Sequence, residues 1–101
     1  MYSKYGQFID GRWQASSNKE TYDVINPATE EIIGKASKAS ANDIDKALKS
    51  AEKGFEAWKK HSPWDRAAII RKIADKIRKK NNELAKWMTV ETGKPLAEGL
   101  A

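Results

Sequence analysis

Few residues in this sequence of 101 residues have the type and setting for chemistry. The one that draws attention is Glu91, in the stretch Thr89-Val90-Glu91-Thr92-Gly93-Lys94-Pro95. Gly93 and Pro95 are stop signals, so the stretch reads as a helix end. Met88, Trp87 and Leu84 precede Glu91 at helical spacing, which puts its carboxylate on the apolar side. A negative charge at that end also opposes the helix dipole. A carboxylate so placed suits acid–base chemistry in a cleft, or an ion pair that offsets its desolvation.

No catalytic constellation surrounds it. His61 is the only histidine, it precedes the pair Ser62-Pro63, and it has no H-x-x-x-H partner. It reads as a surface or cap-adjacent residue. Ser16, Ser17, Ser37, Ser40 and Ser62 fall in loop or cap contexts, without a G-x-S-x-G elbow. Cysteine is absent, which excludes a thiolate nucleophile, a disulfide and a thiolate metal site in this chain. Neither G-x-G-x-x-G nor G-x-x-x-x-G-K-S/T occurs, so no phosphate-cradling loop is present. Gly93-Lys94-Pro95 imitates the tail of such a loop, but the upstream glycine is missing and proline has no N–H.

The elements that would position these residues follow from local signals. Phe8-Ile9-Asp10-Gly11-Arg12-Trp13 predicts a hairpin, with Asp-Gly at the turn. Thr21–Ile25 and Glu31–Ala36 have strand-forming residues, separated by the Asn26-Pro27 turn pair. Strands are therefore expected over about 8–36 and helices over about 41–101. Ser40 and Asp43 form a capping pattern ahead of the stripe Ile44, Ala47, Leu48, Ala51, Phe55, Trp58. Ser62 as cap, Pro63 at the first helical position and Asp65 start a second helix, with the stripe Ile69, Ile70, Ile73, Ala74, Ile77. Asn81-Asn82 is expected to interrupt it, and a third helix runs from about Glu83 to Thr92. Leu96, Ala97, Leu100 and Ala101 begin a fourth helical face. The fold class is α+β: short strands with a hairpin, then three helices and the start of a fourth.

Composition says what this arrangement lacks. Leu, Ile, Val and Phe number 4, 9, 2 and 2, which is thin material for a core. Together they fall under the roughly 20% below which a charged chain is suspected of disorder. Four tryptophans and clear periodicity oppose disorder. The apolar faces instead need surfaces that this chain does not supply, and the chain reads as an incomplete domain. The net charge of +5 is concentrated in Arg66–Lys80, where seven basic residues meet only Asp75. This reads as the solvated face of one helix, with no nucleic-acid partner expected. Met1–Gly6 lacks a signal peptide's apolar stretch, and no run reaches the roughly 18 apolar residues of a membrane span. A cytoplasmic protein without a membrane partner is expected.

The motifs, taken in order, resemble the N-terminal portion of the aldehyde dehydrogenase superfamily. The matching stretches are FIDGRW (8–13), YDVINPATEEIIG (22–34), ASANDIDKALKSAEKGFEAWK (39–59), RAAIIRKIADKIR (66–78) and ELAKWMTVETGKPLAE (83–98). The resemblance implies part of an α/β cofactor-binding domain, and a parent enzyme that oxidises an aldehyde to an acid. The parent would use a cysteine thiolate, NAD or NADP as hydride acceptor, and a glutamate-activated water. All of those groups belong to later family segments. No catalytic or dinucleotide-binding residue is therefore assigned here, and the chain alone is expected to be inactive. Glu91 is not the family's catalytic glutamate. The resemblance does imply a monovalent cation site, K+ or Na+, with carbonyls at Val24 and Ile25 and the carboxylate of Glu91 as ligands; the alternative for Glu91 is an ion pair. Several relatives carry aspartate at that position. The implied partner is the rest of the subunit, or self-association through apolar helix faces, in a family that is usually dimeric or tetrameric. The competing reading is a stand-alone interaction or pseudoenzyme module derived from the same fold.

Overall fold

Asp10 and Gly11 both adopt positive φ, 53° and 76°, the backbone twist a two-residue hairpin needs. In this computed structural model, which describes residues 5–101, they join β1 (Gln7–Ile9) to β2 (Arg12–Gln14). The strands pair antiparallel with Phe8 opposite Trp13, and those rings lie 5.1 Å apart. The Tyr5 ring packs at a tilt against the same indole, 5.1 Å between centroids.

A second antiparallel pair, β3 (Thr21–Ile25) and β4 (Ile32–Ser37), is closed by the Asn-Pro turn. Val24 faces Gly34 and Ile25 faces Ile32, so Ile33 is the extra residue of a bulge. The two hairpins are separate two-stranded sheets.

The helices begin where their caps predict. Ser40 and Asp43 exchange both bonds of a capping box at the start of α1 (Ala41–Trp58). Ser62 Oγ accepts the Asp65 N–H at 3.1 Å ahead of α2 (Pro63–Lys79), with Pro63 in the first turn. The expected break at Asn81-Asn82 is corrected by one residue. The chain leaves helical geometry at Lys80 (φ −103°, ψ 8°), and both asparagines belong to α3 (Asn81–Thr92). Asn81 does not cap the helix. Its Nδ2 donates to the Leu100 carbonyl at 3.0 Å and ties α3 to α4 (Leu96–Leu100). That tether packs Gly99 on the fully buried Ala85, where an added Cβ would meet the Ala85 Cβ at 3.2 Å.

Elsewhere the stripes are uncovered. Leu48 is 64% exposed and Phe55 60%, and on α2 Ile70 and Ile77 are 57% and 53% exposed. The molecule measures 48 × 37 × 16 Å, one layer of secondary structure thick where a stable domain uses at least two. Its radius of gyration is 16.8 Å, against roughly 13 Å for a compact chain of this length. The accessible surface is 8182 Å², about 2,400 Å² more than the roughly 5,800 Å² expected of a compact monomer of this mass. Among the described residues, no helix is long and apolar enough to cross a membrane.

Candidate functional site

Two of the stretches that carry the family resemblance, YDVINPATEEIIG and ELAKWMTVETGKPLAE, meet in space. Asn26 organises the first. Its Oδ1 accepts the Ala28 N–H at 2.9 Å, its carbonyl accepts the Glu30 N–H at 2.8 Å, and its own N–H donates to the Glu31 carbonyl at 2.9 Å. Thr29 Oγ1 accepts the Glu31 N–H at 3.4 Å, so the turn is held from within. The second stretch ends α3. Gly93 takes the left-handed conformation, φ 74°, and donates to the Thr89 carbonyl at 2.9 Å. A Cβ on Gly93 would stand 3.3 Å from Pro27 Cγ, so the helix end rests against the Asn-Pro turn. Thr89 and Thr92 turn their hydroxyls back to the carbonyls of Ala85 and Met88, at 3.1 and 2.7 Å.

The residues singled out from sequence sit around this junction. Val24 is half-buried and Ile25 is exposed, at the position where the β3–β4 ladder slips register. A ladder interrupted there is compatible with carbonyls that serve another partner. Glu91 is exposed two residues before Gly93, in a groove of about 300 Å³ lined also by Tyr5, Lys80, Glu83, Leu84 and Trp87. Val24 and Ile25 do not line that groove. The donor chemistry suits a hard cation, one carboxylate with backbone carbonyls; Lys80 lines the same groove but stands three helical turns before Glu91. Among the described residues, no three His, Cys, Asp or Glu side chains gather as a metal site. His61 stands beside the Trp58 ring, 5.8 Å between centroids, at the turn after α1.

Asp43 has a larger role than its capping pattern reveals. It is 5% exposed. Besides the Ser40 N–H at 3.0 Å, its carboxylate accepts the Ser17 N–H at 3.1 Å on both oxygens and the Gln7 amide at 3.4 Å. The Ser40 backbone N–H, above all, holds its acidity well below the usual carboxylate range; burial opposes this, and the Ser17 N–H adds to it. Ser17 and Ser40 complete the cluster through a 2.7 Å hydroxyl contact. One buried carboxylate thereby joins β1, the loop after β2 and the start of α1. Only the Ser40–Asp43 spacing signalled it in the sequence, since the other partners lie 26 and 36 residues away. The Gln7 side-chain oxygen, Oε1, is buried without a partner among the described residues.

This arrangement is a layer that positions turns and helix ends. The same layer occurs in larger proteins. A betaine aldehyde dehydrogenase from Staphylococcus aureus, solved in complex with NAD+, superposes with a TM-score of 0.90 at 38% identity over 94% of this chain. A protein provisionally described as an aldehyde dehydrogenase, from Burkholderia cenocepacia, superposes at 0.92 with 32% identity over 96%. The chain spans only about a fifth of either, 19% and 20% of their lengths. The sequence profile of the aldehyde dehydrogenase family matches residues 13–101. Sequence and backbone agree, and the chain belongs to the aldehyde dehydrogenase family.

Proposed function

We propose that this chain works as the opening layer of the cofactor-binding domain in an NAD(P)-dependent aldehyde dehydrogenase subunit, and that it has no catalysis of its own. The observation that carries this is the uncovered surface. About 2,400 Å² beyond a compact monomer's area is exposed, and its apolar part includes the stripes of α1 and α2 together with Phe8, Trp13 and Trp64. A fold that matches a fifth of an NAD+-bound aldehyde dehydrogenase at a TM-score of 0.90 needs the remaining polypeptide to cover those stripes. The nucleophilic thiolate and the dinucleotide contacts of the parent come from that remainder, because this chain has no cysteine and no phosphate-cradling loop. The proposed setting is the cytoplasm, in an oligomeric enzyme.

Within that reading, Val24, Ile25 and Glu91 hold K+ or Na+ near the junction of the Asn-Pro turn and the end of α3. A bound ion would offset the carboxylate at the negative end of the helix dipole. It would also fasten β3 to α3.

The test is NADH or NADPH formation with a panel of aldehydes. The 101-residue chain is compared with the polypeptide encoded by its gene through and beyond Ala101. The short chain is expected to be inactive and the longer one active. Turnover by the short chain, or a stop codon directly after Ala101, overturns the proposal and favours a stand-alone module.

A further inference from the structure

The β1–β2 hairpin and α1 enclose a second groove, of about 400 Å³. Arg12 lines it from β2, and Lys46, Lys49, Ser50 and Lys53 line it from α1. Asp10 is the one carboxylate among its lining residues. At 3.6 residues per turn the three lysines fall within about 60° of one another, roughly opposite the stripe of Ile44, Leu48 and Phe55. Covering the apolar stripe does not by itself close the basic side.

Lys35, Lys38, Lys59 and Arg78 each pair with a carboxylate, but Arg12, Lys46, Lys49 and Lys53 make no salt bridge to a described residue. Asp45 and Glu52, four and three residues from Lys49, flank the lysines and form no salt bridge with them. Lys46–Lys49 and Lys49–Lys53 are like-charge pairs at i,i+3 and i,i+4, set against the carboxylates of Asp45 and Glu52 at the same spacings from Lys49.

We propose that this groove binds a compact chain of phosphates, either free or carried by a nucleotide. A volume of about 400 Å³ is within the roughly 300–1,000 Å³ of small-molecule sites. Arg12 supplies a planar fork that matches phosphate oxygens, the lysines supply point charges along the phosphate chain, and Ser50 supplies a hydroxyl donor.

The experiment is lysine acetylation footprinting by mass spectrometry on the intact polypeptide of the reading frame, with inorganic triphosphate or ATP added. Labelling of Lys46, Lys49 and Lys53 should slow about tenfold at a ligand concentration ten times Kd, while Lys72, Lys76 and Lys79 on α2 stay unchanged. Equal protection by the two ligands assigns the phosphate chain alone. Stronger protection by ATP assigns a nucleotide. The double variant Lys49→Gln/Lys53→Gln, which keeps helix propensity, should lose the protection of Lys46. Absent protection overturns the proposal, as does equal protection on α2 or persistent protection of Lys46 in the variant. Protection by a polyglutamate peptide at lower concentration than triphosphate also overturns it, in favour of a protein partner.

Discussion

Replacing Gly93 with alanine probes the junction that unites the two family stretches. Gly93 has φ 74°, and its missing Cβ would stand 3.3 Å from Pro27 Cγ. The left-handed conformation costs an L-residue about 1–2 kcal/mol. The contact with Pro27 adds a further penalty, because the proline ring must give way by a few tenths of an ångström. Two other glycines calibrate the measurement. Gly11 has φ 76° but nothing within 4 Å of its would-be Cβ, so Gly11→Ala carries the conformational cost alone. Gly54 lies inside α1 with open space around it, and Gly54→Ala should stabilise by about 0.5–1 kcal/mol. Urea unfolding of the three variants in the intact polypeptide should therefore rank them. Gly93→Ala is the least stable, Gly11→Ala is next, and Gly54→Ala lies above the wild type. The ranking is read from unfolding midpoints at unchanged slope. Gly93→Ala equal to or more stable than Gly11→Ala would refute the close approach of the α3 end to the Asn-Pro turn.

The acidity of Asp43 predicts a pH dependence. Its folded-state value lies below the ordinary 3.8, so its contribution to stability is complete above that pH and is lost as pH falls below it. Asp43→Asn should flatten the acid limb of a stability–pH profile, and an unchanged limb contradicts the assignment. If K+ or Na+ binds at Val24, Ile25 and Glu91, a tenfold excess of the ion over its Kd should stabilise the protein by about 1.4 kcal/mol. Glu91→Gln should abolish that increment; an increment equal in the variant assigns the effect to general salt. The 101-residue chain by itself should self-associate in sedimentation through the α1 and α2 stripes, and Leu48→Lys with Ile77→Lys should return it to monomer. A stable wild-type monomer would remove self-association from the account.

Much of the fold was legible because its signals are local. The Asp10-Gly11 turn, the Ser40 and Ser62 caps and the Gly93 stop each rest on a few neighbouring residues, and each is where the sequence placed it. Lys80 shows the limit. Two asparagines look like a helix breaker, but Asn81 spends its amide on a carbonyl 19 residues away, and the break falls before it. Asp43 shows the same limit from the other side. Its cap was visible in the spacing, while Ser17 and Gln7 reach it only once the hairpin has folded over α1. The thin core was legible in composition and is present as exposed stripes. The candidate cation residues came from the family resemblance, since a backbone carbonyl leaves no mark on residue type. The basic groove was missed because Arg12 lies 34 or more residues from its lysine neighbours.

The central claim is that the rest of an aldehyde dehydrogenase subunit covers α1 and α2. Hydrogen exchange tests it most directly, comparing the amides of Ala41–Trp58 and Pro63–Lys79 in the 101-residue chain with those in the longer polypeptide that continues beyond Ala101. The account predicts that protection of both helices rises by at least about a hundredfold in the longer chain, equivalent to ~2.7 kcal/mol of added local stability. Equal protection in the two polypeptides would contradict it, because the stripes would then be as stable uncovered as covered.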